Sequence, residues 1–253
     1  MSIDTPDFRA ADRIVERREA LPADPPPGHY VVVDVLNFST TVVELLAAGA
    51  KHVHVPDRRG DQVAYKRANP TARIGGEDAP DDEPTAAYDF VNSPTDVQGV
   101  DVDGRPVSLT SINGGRTVSA LRNADETIDI YVGSTTNAAA IARYLRSRSG
   151  PIYLVGAGSS GDVAGEDLIG AALIDRYLED VPIGRAELDQ LRDGVRVAKR
   201  RRYGDSSAIP PTDVEEYATN FDSRTVVPKL VGETLVDVSR AGESGVIRRK
   251  AAD

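Results

Sequence analysis

The sequence predicts an α/β fold: three α/β/α layers built around a mostly parallel or mixed sheet. Short β-branched runs alternate with segments of helical length and amphipathic pattern. Gly, Asn and Pro punctuate the joints, and polar residues gather just after the apolar runs. Strands alternating with helices call for right-handed crossovers, which cover a parallel sheet on both faces.

The elements follow in order. Residues 1–28 read as a polar, Arg-rich arm or helix ending at Pro25-Pro26-Pro27, a run that no helix continues. The continuous β-branched run predicts a buried strand over 30–35. A helix follows over 39–50, with Ser39, Thr40 or Thr41 as its cap and Gly49 at its close. A short strand is expected over 52–55 and an amphipathic helix over 59–68, stopped by Asn69-Pro70. Another strand, 72–74, runs into Gly75-Gly76-Glu77. The stretch 78–88 is acidic and contains Pro, and its pattern is that of a loop. Asn92-Ser93-Pro94 reads as a helix start with Pro in the first turn. Strands over 107–111, 127–132 and 152–155 alternate with helices over 114–123, 136–147 and 166–177. The run 192–205, with Lys199-Arg200-Arg201-Arg202, reads as a solvated helix face. A short helix over 214–219 and two closing strands, 226–230 and 234–238, complete the pattern. The chain thus divides into an N-terminal arm (1–28), an α/β domain (29–240) and a C-terminal tail (241–253).

Composition narrows the function. The net charge of −10 argues against a nucleic-acid partner, which calls for a basic face. Without cysteine there is no disulfide, thiolate metal site or Cys nucleophile. No apolar run is long enough to span a membrane and no signal-peptide core opens the chain, so a cytoplasmic protein without a membrane partner is expected. The acidic excess, with Lys scarce beside Arg, fits a halophilic source and an ordinary acidic protein equally. Apolar-rich helices and the arm offer surfaces for a homo-oligomer without fixing its order.

In an open parallel sheet, ligands bind beyond the carboxyl ends of the strands. The groups expected there are Asp34 with Asn37; Glu77; Asn113, Gly114 and Arg116; Ser134 and Asn137; and the glycine loop 156–161 ahead of Glu166-Asp167. Carboxylates and amides suit a hard cation such as Mg²⁺. Gly-rich helix starts, hydroxyls and an Arg suit a phosphate. A carboxylate after so apolar a run as 31–33 is close to buried, which favours metal or catalytic duty for Asp34 over capping. Arg116 stands in the first turn of a helix, a poor place for a cation unless an anion is there. Glu166 and Asp167 read more simply as favourable first-turn acids. The Gly-x-Gly-x-x-Gly of 156–161 invites a dinucleotide reading, but further loop precedes the helix and no acid-tipped strand follows at the right distance. His52 and His54 lack a third ligand for zinc.

Taken together and in order, these motifs carry a family likeness. Asp34-Val35-Leu36 with Ser39-Thr40-Thr41, Gly76-Glu77, Asp89 with Asn92-Ser93-Pro94, Leu109-Thr110-Ser111 with Asn113-Gly114 and Arg116, Gly133-Ser134 with Asn137-Ala138, and Glu166-Asp167 with Gly170-Ala171-Ala172 resemble 2-phosphosulfolactate phosphatases. The resemblance covers roughly residues 30 to 180. It implies Mg²⁺-dependent hydrolysis of a small phosphate monoester on the route to coenzyme M. It implies a site made of Asp34, Glu77, Asn113, Arg116, Ser134, Asn137, Glu166 and Asp167, without saying which of them touch metal. Within and beside that set, the residues themselves lead us to expect catalytic roles for Asp34, Glu77 and Arg116, substrate contacts at Asn37, Asn113, Gly114, Ser134 and Asn137, and metal ligation drawn from Asp34, Glu166 and Asp167. The family typically has Arg where this chain has Asn37, and the loop after Glu77 is longer and more acidic here. Both changes weaken the positive field, so the expected substrate extends from 2-phosphosulfolactate to a related phosphorylated hydroxy acid. The competing expectation is a non-catalytic anion- or metabolite-binding protein on the same fold.

Overall fold

The structure, a computed structural model, describes residues 13–77, 87–124, 127–204 and 209–239. Most of the acidic stretch after Glu77, the tail 241–253 and the first twelve residues lie outside these. In chain order the strands and helices are β1 (Ile14–Val15), β2 (His29–Val33), α1 (Phe38–Ala47), β3 (His52–His54), α2 (Asp61–Ala68), β4 (Arg73–Gly76), β5 (Phe90–Val91), α3 (Pro94–Val97), β6 (Pro106–Leu109), α4 (Gly114–Ala124), β7 (Asp129–Gly133), α5 (Ala138–Arg146), β8 (Ile152–Gly156), α6 (Gly165–Leu178), α7 (Arg185–Tyr203), β9 (Pro228–Val231) and β10 (Thr234–Asp237). A π-helical turn, Asp213–Ala218, precedes β9.

The three-layer expectation holds, and strand β2 shows why. Its alternate residues serve two cores. Val31 and Val33 pack with Ile141 and Leu145 of α5, Leu173 and Ile174 of α6, and Val195 of α7. Tyr30 and Val32 pack with Phe38, Val42 and Leu45 of α1 and Val118 and Leu121 of α4.

The sheet is mixed, in the order β1-β8-β2-β7-β9-β10-β3-β6-β4-β5. β1, β8, β2 and β7 pair in parallel, as do β3, β6, β4 and β5. The two blocks are joined by the β9–β10 hairpin, antiparallel to β7 on one side and to β3 on the other. The two strands expected to close the sheet therefore sit at its centre, and three successive antiparallel pairings make the blocks run in opposite directions. A flat sheet would put their carboxyl ends on opposite edges. Twist changes this: at about 20–25° per neighbour, the five steps from β2 to β6 accumulate roughly 100–125°, leaving the two strands far from antiparallel. The carboxyl ends of both blocks meet, as the site contacts below show.

Some local predictions are refined. Ser39, Thr40 and Thr41 do not cap α1; its N-cap is Asn37, without a side-chain bond. Ser39 Oγ instead accepts from Asp34 N (2.9 Å) and donates to Val32 O (3.2 Å), and Thr40 Oγ1 donates to Val35 O (2.8 Å). These hydroxyls tie the helix start back to the strand end. Ser93 does cap α3, accepting from Asp96 N, with Pro94 in its first turn. Within the stretch read as an arm, Ile14 and Val15 pair with Leu154 and Val155 as an edge strand. His54 is buried, its ring stacked 4.2 Å from Tyr65.

Glu44 in α1 is 2% exposed and paired with Arg224 of the segment before β9 (Nη2–Oε2 2.8 Å). Burial raises its pKa and Arg224 works against that. Arg224→Met would leave the carboxylate buried and alone. Because the guanidinium side is partly exposed, the expected cost is about 2 kcal/mol, read from the urea midpoint at pH 7; an unchanged midpoint would contradict it.

Candidate active site

Asp34 lies just past the end of β2 and is 4% exposed. Its Oδ2 accepts from Gly114 N at 2.7 Å, the first residue of α4 in the opposite block. Gly114 permits this approach: a Cβ there would lie 2.6 Å from Asp34 Oδ2 and 2.4 Å from Phe38 Cδ1. Burial raises the Asp34 pKa to about 7; the Gly114 hydrogen bond opposes the rise, and the charges of Glu77 and Glu166 add to it.

Glu166 and Asp167 open α6 and are 2% and 1% exposed. Both are first-turn acids, as the simpler reading has it, but they are buried and not solvated, which that reading alone does not explain. Asp167 Oδ1 accepts from Val35 N (2.9 Å) and Oδ2 from Gly158 N (3.0 Å). This answers what the glycine loop is for: one of its N–H groups holds a carboxylate of the protein. Burial lifts the Asp167 pKa well up, with Asp34 and Glu166 adding to it. Burial lifts Glu166 as well, while Arg202 pulls it down.

Glu77, half-buried after β4, completes the acidic group. Its Oε1 accepts from Ile112 N (2.9 Å) and Asn92 Nδ2 (3.3 Å), and burial raises its pKa. Asp34 senses its charge. Carboxylates from both blocks are thus gathered where the sheet's ends converge.

The remaining expected residues divide. Asn113 is half-buried beside Asp34's partner Gly114, its Oδ1 accepting from Ser160 N (3.4 Å), which links the β6–α4 turn to the glycine loop. Arg116 is exposed in the first turn of α4, with no hydrogen bond or ion pair among the described residues, leaving its donors available to an anion. Asn37 is 6% exposed, and its Nδ2 donates to Asn92 O (3.1 Å) and Asp213 Oδ2 (3.0 Å). Ser134 and Asn137 are fully buried. Ser134 Oγ pairs with Thr40 Oγ1 (2.7 Å), while Asn137 takes Ser134 N (2.8 Å) and donates to Val226 O (3.0 Å). Their polar atoms are spent on the frame. Gly114's N–H is likewise committed to Asp34 rather than to a substrate.

Sequence reasoning missed Asp213, 0% exposed, which accepts from Asn37, from Ser93 Oγ (2.7 Å) and from Thr95 N (3.1 Å). It also missed Arg202 and Tyr203 at the end of α7. Burial raises the Tyr203 pKa, and Glu166 and then Asp34 raise it further, which places the phenol within reach of their charge. The only available signal was the basic run itself.

The acidic group has the donor chemistry, though not a complete ligand set, that a hard divalent cation uses. Asp34, Glu166 and Asp167 offer oxygen donors, and their negative charge is offset within the group only by Arg202 at Glu166. Among the described residues no group of three or more Asp, Glu or His side chains is placed to hold a metal ion by itself, so a cation here would draw on at most two carboxylates. Mg²⁺ commonly takes one or two carboxylates and fills its other positions with water and phosphate oxygens, so an open set suits it.

The profile of the 2-phosphosulpholactate phosphatases matches residues 15–209. A probable 2-phosphosulfolactate phosphatase of Deinococcus radiodurans is 34% identical over 184 residues, 71% of this chain and 73% of that protein. Another, of Thermotoga petrophila, is 29% identical over 170 residues, 67% of each chain. A third, of Carboxydothermus hydrogenoformans, is 33% identical over 150 residues, 59% of this chain and 60% of the relative.

Proposed function

The chain belongs to the 2-phosphosulpholactate phosphatase family, and from that premise we propose that it hydrolyses a small phosphate monoester, 2-phosphosulfolactate or a closely related phosphorylated hydroxy acid, with Mg²⁺. The observation that carries this reading is the buried carboxylate of Asp34, met by Glu166 and Asp167 from its own block and by Glu77 from the other. Burying like charges together costs stability whatever their role, and groups perturbed in this way cluster at functional sites.

Asp34 and Glu166 would hold the cation, with Asp167 behind them fixed by two backbone N–H groups. Bound there, Mg²⁺ would neutralise charge on the phosphoryl oxygens. Arg116, unpartnered at the mouth, binds the phosphoryl group as it gains charge in the transition state. Glu77 takes the proton from the attacking water as its oxygen bonds to phosphorus and the ester P–O bond breaks, the leaving hydroxy-acid oxygen taking a proton from solvent; burial has raised the basicity of Glu77, and Ile112 N and Asn92 Nδ2 orient it. Asn37 serves through the frame: it locks the strand end to Asp213 and the turn before α3. The product would enter the route to coenzyme M, in the cytoplasm; no helix among the described residues is long and apolar enough to cross a membrane.

The test is phosphate release by the purified protein with Mg²⁺ and with a chelator, at low and high KCl, from 2-phosphosulfolactate and from phosphorylated hydroxy acids lacking the sulfonate. Mg²⁺-dependent release is expected, together with a Mg²⁺-induced rise in Tm that grows as pH climbs through 7, because the cation competes with the proton on Asp34. Stabilisation by these anions with no release would indicate a binding protein instead.

A further inference from the structure

The basic run at the end of α7 is not uniform. Arg200 and Arg201 are exposed, and Lys199 Nζ donates to the nearby Gly204 O (2.9 Å). Arg202 turns inward. Its Nη1 donates to Ser159 O (3.1 Å) and its Nη2 to Val163 O (3.1 Å), so one planar fork spans two carbonyls of the glycine loop. The loop closes on itself between them, through Ser159 N to Asp162 O (2.9 Å) and Asp162 N to Ser159 O (3.0 Å). Arg17, from the segment after β1, donates through Nη1 to Gly161 O (3.0 Å). Two guanidinium groups therefore grip the loop whose Gly158 N–H holds Asp167.

The origin of the Arg202 side chain is itself fixed. α7 lies close on α6: a Cβ at Gly194 would come within 2.8 Å of Ile169 Cδ1, and one at Gly165 within 3.3 Å of Ala198 Cβ. Gly158 has φ +67° and its own Cβ would meet Asp162 O at 2.6 Å, so the turn that aims its N–H at Asp167 admits no other residue cheaply. The guanidinium also reaches Glu166 by charge, the neighbour of Asp167.

We propose that Arg202 is a positioning residue of the phosphatase site: by clamping residues 159–163 it keeps the Gly158 N–H on Asp167 and the Glu166-Asp167 pair turned towards Asp34. This rests on the phosphatase reading above and assigns Arg202 no contact with substrate. An arginine suits the task because its fork makes both bonds from one plane; a lysine keeps the charge and can satisfy one carbonyl at a time.

The experiment compares the full chain with Arg202→Met, Arg202→Lys and, as a control on the same helix end, Arg201→Met. Amide exchange is read first because it needs no substrate. In Arg202→Met the peptide covering 156–165 is expected to exchange roughly tenfold faster, with the β2 peptide unchanged, as local opening of one loop demands. In turnover, Arg202→Met should lower kcat on the order of thirtyfold with KM within about threefold of wild type, the pattern of misplaced machinery and not of lost binding. Arg202→Lys should recover part of kcat, added guanidinium ion should rescue Arg202→Met but not wild type, and Arg201→Met should behave as wild type. Unchanged exchange over 156–165, or a wild-type kcat in Arg202→Met, overturns the proposal. A wild-type chain that releases phosphate from no substrate, while the loop of Arg202→Met still loses protection, defeats the phosphatase reading and leaves the clamp standing.

Discussion

Asp34→Asn is expected to lower phosphate release by roughly a thousandfold or more while leaving the protein folded, because it removes the charge at the centre of the acidic group. The amide retains an oxygen for Gly114 N, so the link between the two blocks survives. The same change should stabilise the metal-free protein. Asp34 has a folded pKa of about 7 against an unfolded value of about 4, so the folded state holds the proton more tightly. Metal-free stability from this group is fully present below pH 4 and is lost as pH rises through 7. Asparagine carries no such loss. At pH 8 without Mg²⁺ the variant should be more stable than wild type by on the order of 2–4 kcal/mol, and its denaturant midpoint should vary less between pH 5 and 8. A variant that keeps most activity would remove Asp34 from the mechanism. One that is inactive but less stable at pH 8 would show that the carboxylate is structural.

Gly114→Ala is the second large effect. A methyl group there would lie 2.4 Å from Phe38 Cδ1 and 2.6 Å from Asp34 Oδ2, and Phe38 is fully buried. Either the ring or the carboxylate must move. We expect a stability cost of about 2 kcal/mol from overpacking, even though alanine is the better helix former. Because Asp34 is the group displaced, kcat should fall by on the order of a hundredfold. Gly115→Ala, one residue on, meets Ser111 Cβ at 3.3 Å and no carboxylate, and should lose much less of either. Equal effects at the two positions would mean that the close approach to Asp34 has no special weight.

Much of the fold was legible because it is written locally. The β-branched run of β2, the Ser93-Pro94 start of α3 and the length of α6 each declare themselves within a few residues. Asp34 was legible for the same reason: a carboxylate straight after Val31-Val32-Val33 has little choice but burial. The order and direction of the strands were not, since nothing in residues 226–238 says that they insert between β7 and β3. Two-residue strands such as Ile14–Val15 and Phe90–Val91 lack any period to detect. Glu166 and Asp167 were seen, but their burial depends on how α6 meets the end of β2, a matter of tertiary packing. Arg202 looked like its solvated neighbours because one inward turn of a side chain leaves no trace in a basic run. Asp213 is separated by over a hundred residues from the Ser93 it accepts from, and that pairing exists only once the chain has folded.

The central position of the β9–β10 hairpin sets the timing of assembly. Among the described residues, strand pairing between the blocks runs only through residues 228–237, almost the last part described. A chain emerging from the ribosome can form β2 with α1, or β6 with α4, long before the strands that bridge β7 and β3 exist. Such high contact order slows folding and leaves the flanks of β7 and β3 open as unpaired edges. The two halves of the acidic site therefore gain their sheet linkage late, and chains released short of residue 228 should be inactive and prone to aggregate.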